Sequence, residues 1–356
     1  MKRNALCQIF MMALIATPVS LQEEMPRKKA VQLFGIVQNG KTGFIDHTGA
    51  VVIPPQFTGS MYGIRFSEGL APVSIDGRWS YIDRRGRVVI RTTFDSVGPF
   101  NEGLAPVGVA RKRNGRLLDD FKYGYIDNTG RVVIEPLFDE TYGFSEGLGR
   151  VVVDGKWGFI DKKGEMVIEP SFESAYWFSD GFASVVLSQG QRSYIDKTGR
   201  VVSNPDYEYT DAWFSEGLAP AKRSDKLGYI SKDWKIVIEP QFDGVAQAFS
   251  EGLAAVRLAD KYGYIDVTGK MVIAHRFTSS SHFSEGFAVI QVEGRYGYIN
   301  RSGDVVIEPI FKQAGDFKGG LAAVTEDEAI KYASCCWQRW DYIDKSGKYV
   351  WKSPAK

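Results

Sequence analysis

Seven carboxylates stand in equivalent surroundings along this 356-residue chain: Glu68, Glu102, Glu146, Asp180, Glu216, Glu251 and Glu285. Each follows a phenylalanine by two residues and precedes a glycine, as in FSEGLAPV at 66–73. Two such acids facing each other across a groove would be the equipment of a glycoside hydrolase. Repetition argues against this, because catalysis needs one acid tuned apart from its neighbours rather than seven alike. We read them as bend or strand-end groups, and the chain as no enzyme. The histidines add little: His275 and His282 flank Ser279 to Ser281 without a nearby carboxylate or thiolate, and His47 sits in a turn. They assemble neither a metal site nor a nucleophile, base and acid. No cofactor is expected. Cys335 and Cys336 are adjacent, and a vicinal pair makes no disulfide scaffold.

The elements that must carry these residues repeat. An aromatic followed by isoleucine and then Asp, Asn or Ser recurs at Phe44, Tyr81, Tyr125, Phe159, Tyr194, Tyr229, Tyr264, Tyr298 and Tyr342, about every 35 residues. Longer intervals place insertions near 109–122 and 325–340. In GLGRVVVDGKWGFIDKKGEMVIEPSFESAYWFSDG, three apolar runs are separated by DG and DKKG turns, so each unit is predicted to be three short strands and a connection. Asp161 to Gly164 fit a type I turn closed by a left-handed glycine. Trp157 and Phe159 alternate with Gly158 and Ile160, which predicts a second strand buried on both faces. Runs such as VVI and MVI predict the same for the third. Units this small bury enough surface only by stacking.

Composition excludes some partners. Lys plus Arg number 44 against 43 for Asp plus Glu, which leaves no basic stripe for nucleic acid. Glycine at 38 residues and aromatics at 13 % suit short strands and tight turns. Lys2 and Arg3 precede the apolar ALCQIFMMALIA and the turn-prone TPVS, a pattern that reads as a signal peptide over 1–20. A linker over 21–30, the repeat array over 31–351 and a tail over 352–356 follow. The apolar stretch is too short to span a bilayer, so we expect an exported chain, periplasmic or secreted, with no membrane span in its mature form.

KWGFID, GYIDNTG, VVIEPLFD and FSEGL resemble the WG repeat, also called KWG, of bacterial β-repeat proteins. The resemblance covers roughly 31–351. Ser80, Ser193 and Asp341 depart from it at the glycine of the WG step, and VVSNPDYEYTDAWF lacks IEPxF, so those units are expected to pack less regularly. The resemblance implies a non-enzymatic scaffold and carries no catalytic residue. The fold expected is all-β, a tandem array of about nine units in an open twisted, solenoid-like stack, with a closed propeller-like ring as the alternative; no unit is visibly left incomplete, which favours the stack.

Recognition in a repeat array belongs where copies differ. In the connections that end units three to five, the positions before the phenylalanine hold Tyr142, then Tyr176 and Trp177, then Trp213, with Tyr207 and Tyr209 in the irregular unit. This row is the candidate ligand site. A protein or peptide is the expected partner, and a carbohydrate or cell-wall glycan stacking on the rings is the alternative. The insertion with Arg111, Lys112, Arg113 and Arg116 is read as a solvated hairpin tip.

Overall fold

The computed structural model of the chain describes residues 32–58, 64–113, 116–203, 208–209, 213–244, 247–326 and 340–354. The expected leader and linker, Tyr207 and the pair Cys335 and Cys336 lie outside them, as do the side chains of 111–120 and Tyr209. Val31–Lys356 forms one compact unit. Its regular elements, among the described residues, are all strands, gathered into nine antiparallel sheets of three or four strands in sequence order. We number the sheets as units 1 to 9 along the chain.

Unit 4 shows how the sequence builds one sheet. Strands Leu148–Val153 and Lys156–Ile160 meet at Asp154 and Gly155, both with positive φ, the two-residue turn whose twist matches paired strands. Asp161 then turns the chain by accepting from the N–H groups of Lys163 and Glu165, each at 2.9 Å, and Gly164 takes the left-handed position at φ 88. The second strand is buried on both faces, with Phe159 and Ile160 wholly enclosed. Met166–Phe172 completes the unit.

Two features differ from expectation. The connection belongs to the unit that follows it: Glu140–Ser145, for example, pairs with Leu148–Val153, and five sheets gain a fourth strand in this way. The third strand is a sheet edge rather than a sandwiched strand. Its central valines, Val52, Val89, Val133, Val167, Val237, Val272 and Val306, are 37–48 % exposed, while the following isoleucine or the terminal phenylalanine is buried. Short length and prolines such as Pro136, Pro170, Pro240 and Pro309 keep these edges from pairing with other chains.

The glycine of the WG step sets how far the third strand runs. A Cβ on Gly158 would lie 2.7 Å from the Ile168 carbonyl, because the third strand bulges over that spot at its proline. Units with this glycine have seven-residue third strands. Where Ser80 and Asp341 replace it, the third strand shrinks to Val88–Arg91 and Tyr349–Trp351, and in the unit with Ser193 the described residues pair through the Ile195–Val201 bridge.

Neighbouring units join through one recurring contact set. The aromatic of each second strand meets the phenylalanine of the next FSEG phrase, from Phe44 with Phe66 to Tyr298 with Phe317, at centroid distances of 4.8–5.2 Å. The tyrosine hydroxyl crosses the same junction, as in Tyr125 to the Tyr142 carbonyl at 2.7 Å and Tyr298 to the Gly315 carbonyl at 2.8 Å. Third-strand isoleucines rest on the turn glycine of the next unit, as Ile134 does on Gly164.

The last unit also packs on the first, through contacts of the same kind made at different positions of unit 1. Tyr342 packs on Phe34 at 5.5 Å and its hydroxyl donates to the Gly35 carbonyl at 2.8 Å. Val350 covers Gly49, and Phe34, Ile36, Ile45, Leu321 and Tyr342 form one buried cluster. The all-β array of nine units is as expected, and the contacts between its last and first units are of the kind the ring arrangement requires. Phe34 and Gly35, on the first strand of unit 1, take the ring contact and the hydroxyl that an FSEG phenylalanine and the carbonyl two residues before it take at the other junctions. Gly319 fits this arrangement: it stands where other copies have an acid, and a Cβ there would lie 2.5 Å from the side-chain oxygen of Gln32.

Candidate binding site at units 4 to 6

The repeated carboxylates are fastenings between units. Each glutamate and the glycine after it form a tight hairpin turn in which both have positive φ, 51 and 86 for Glu146 and Gly147. The carboxylate accepts from the N–H of the equivalent glycine one unit on: Glu68 from Gly103 at 2.9 Å, Glu102 from Gly147 at 3.0 Å, Glu216 from Gly252 at 2.9 Å and Glu251 from Gly286 at 3.0 Å. Lys162, Lys197, Lys232 and Lys345, from the turns of those following units, pair with Glu102, Glu146, Asp180 and Glu285 at 3.0–3.2 Å. Partial burial raises the affinity of Glu102 and Glu285 for protons, but these hydrogen bonds and lysines outweigh it and hold both below the usual carboxylate range.

The histidines are not brought together. His275 stands on the third strand of unit 7 where other copies have proline, and partial burial lowers its proton affinity. His282 precedes the phenylalanine of unit 8 and lies 3.4 Å from Asp316. No three metal-ligating side chains converge among the described residues.

Of the candidate row, Tyr142 and Trp177 meet around Arg150, a residue the sequence reading leaves out, and Tyr176 and Trp213 adjoin Trp177. Arg150 lies opposite Phe159 in the sheet of unit 4. At this register position the other units hold Gly35, Pro72, Pro106, Ser184, Pro220, Ala255, Val289 and Ala323. Its guanidinium carbon sits 4.7 Å from the ring centroid of Tyr142, 5.5 Å from that of Trp157 and 5.6 Å from that of Trp177. Nη1 donates to the Ala175 carbonyl across the junction at 2.7 Å, and Nε is enclosed without an acceptor. Burial disfavours its charge. The textual signal was GLGRV where other copies read GLAPV or GLAAV.

The rings continue from unit to unit. Tyr142 and Trp157 lie 5.3 Å apart and Trp177 and Trp213 5.1 Å apart, the latter pair inclined at 48°. Tyr176 meets Trp177 edge-on at 6.1 Å. Tyr142 is 41 % exposed and Trp177 and Trp213 are each 38 % exposed, so the rings are half sunk into the junctions and half presented to solvent. Tyr209 is held on the short strand Glu208–Tyr209, paired to Ala221. At the junction of units 8 and 9 the same frame holds Ser281, Val289, Tyr296, Gly315 and Asp316 and leaves a cavity of about 200 Å³. The scaffold therefore provides a gap at this place, and side chains decide its chemistry.

Eight consecutive matches to the family model for the WG containing repeat cover 43–79, 79–110, 123–157, 157–188, 193–226, 228–262, 262–296 and 296–328. The chain belongs to the WG-repeat family. No curated protein matches this WG-repeat chain. Among solved structures it is similar to BamB from Moraxella catarrhalis, at 14 % identity over 77 % of this chain and 90 % of that one, with a TM-score of 0.42. It is also similar to the dihydro-heme d1 dehydrogenase NirN in complex with DHE, at 16 % identity over 81 % and 75 % of the two chains and a TM-score of 0.48. AztD from Citrobacter koseri matches at 13 % identity over 89 % and 92 %, with a TM-score of 0.40. Likeness at these levels assigns no activity to the WG-repeat chain. Among the described residues no helix is long and apolar enough to cross a membrane.

Proposed function

We propose that the chain is an exported, non-enzymatic scaffold that binds a protein or peptide on the surface formed by Tyr142, Arg150, Trp177 and Trp213. The observation that carries this reading is the half-exposed Tyr142, Trp177 and Trp213 beside the largely enclosed Arg150, at positions where the copies differ. These three residue types dominate the energetics of protein interfaces, because each offers a large, stiff contact area with a polar handle. Glycan binding is the second reading, supported by the same rings. The 48° inclination of Trp177 to Trp213 supports it less, since a sugar face stacks best on rings that share a plane.

Export rests on the basic and apolar pattern at the N-terminus, and N-terminal sequencing of the chain recovered from its host tests it. Recognition is tested by crosslinking the mature chain in its host beside a Trp177→Ala/Trp213→Ala variant. A partner captured by the first and lost from the second is expected. The same proteins recovered with both would remove this surface from the account. A detected hydrolytic turnover that falls when single glutamates become glutamine would overturn the non-enzymatic reading.

A further inference from the structure

We infer that the peptide occupying this surface carries a carboxylate that pairs with Arg150. The inference rests on the binding reading above and adds the chemistry of the ligand. Arg150 is a half-buried cation, and among the described residues no carboxylate forms an ion pair with it. What compensates it is one carbonyl and the faces of three rings. Cation–π contacts recover part of the lost hydration, but a partly desolvated guanidinium is satisfied best by a carboxylate, to which it can donate two parallel hydrogen bonds.

The cation is not needed to join the units. Every other junction closes with glycine, proline, serine, alanine or valine at the same register position, and none of these carries charge. One carboxylate approaches the rings, Glu140, to which the Tyr142 hydroxyl donates at 3.2 Å, but among the described residues it forms no ion pair with Arg150; Lys156 and Glu173 pair with each other at 2.6 Å. Charge complementarity therefore calls for an anion, and the flanking tryptophans call for apolar or aromatic groups beside it. An extended peptide supplies both at side-chain spacing.

The test is panning a random linear peptide library against the immobilised full chain, followed by titration of the selected peptides. Enriched peptides are expected to contain Asp or Glu beside apolar or aromatic residues. Replacing that acid by its amide should weaken binding to the native chain about tenfold or more, the usual effect of deleting a hydrogen-bonded charge. The ratio should shrink towards one on Arg150→Gln and remain partial on Arg150→Lys. The acid-to-amide change is made on the peptide, so a folding defect in the protein variants cannot imitate it. Enriched peptides without acids, or an acid preference that persists in Arg150→Gln, overturn the carboxylate inference while the binding reading stands, provided that Trp177→Ala/Trp213→Ala abolishes binding. Failure to enrich any peptide, or enrichment indifferent to the tryptophans, overturns both. Quenching of tryptophan fluorescence by polygalacturonate with no peptide enriched would assign the surface to an acidic glycan instead, and would overturn the peptide.

Discussion

Replacing Glu146 separates the two opposing effects that the fold places on each repeated acid. Glu146 sits at φ 51, in the left-handed region, which costs a residue with a Cβ roughly 1–2 kcal/mol. Against this, its carboxylate accepts from the Gly181 N–H, with oxygens at 3.1 and 3.3 Å, and meets Lys197 Nζ at 3.0 Å. A hydrogen bond to a charged acceptor contributes about 1.5–3 kcal/mol, and with the carboxylate side chain 30 % exposed the lower end applies. The half-exposed lysine adds about 0.5 kcal/mol. Glu146→Ala keeps the strain and loses the fastening, so a loss of about 2 kcal/mol is expected. Glu146→Gly loses the fastening but relieves the strain, for a net loss of about 1 kcal/mol. Glu146→Gln keeps an acceptor without its charge and falls in the same range. Urea unfolding of the mature chain, followed by tryptophan fluorescence, measures all three. An alanine variant as stable as the native chain would refute the fastening, and a glycine variant no better than alanine would refute the strain.

Trp234→Gly restores the glycine found at this turn in the other units, yet it should destabilise by about 2–4 kcal/mol in the same urea assay: the ring, at φ 63, packs on Phe182, Tyr194 and Phe214. Gly158→Ser should shorten the third strand of unit 4, read as faster amide exchange over Met166–Phe172; unchanged protection there would refute the close approach. Acid should weaken the fold in a defined window. Asp127, through the Thr129 hydroxyl and two backbone N–H groups, is held down at about 2, and Glu102 and Glu285 are also held low, so their contributions are present above the unfolded values near 4 and are lost as pH falls towards 2. The urea midpoint should therefore drop between about pH 4 and pH 2, and the drop should be smaller in Asp127→Asn.

How much of this could be read beforehand depended on whether the determinant was local. Turn aspartates, turn glycines and the paired burial of Phe159 and Ile160 are set within a few residues, and the text of each copy states them. The fastening role of Glu146 was hidden because its partner is the same phrase one unit on: the period shows that Glu146 and Gly181 are equivalent neighbours, but not that a side chain bridges them. The third strand misled because VVI is apolar throughout, while its place at the sheet edge follows from how the sheets pack, which exposes Val167 and buries Ile168. Trp234 stands in the text as a break in the turn-glycine series, and only packing shows that it joins Phe182 and Val202 against the buried Tyr194 and Phe214. Of the site, the tyrosines and tryptophans were visible as departures before the phenylalanine. Arg150 departs from the other copies as plainly, but on a first strand whose alternating pattern signals packing and gives no sign of a site.

The central claim is that units 1 and 9 close the array by packing on each other. Hydrogen exchange in Phe34→Ala tests it most directly. Phe34 lies far from the last unit in sequence but packs on Tyr342 in space, so the account predicts that amide protection over Asp341–Asp344 and Leu321–Thr325 falls together with that of Phe34–Gln38. Protection lost from unit 1 while unit 9 exchanges as in the native chain would contradict the ring.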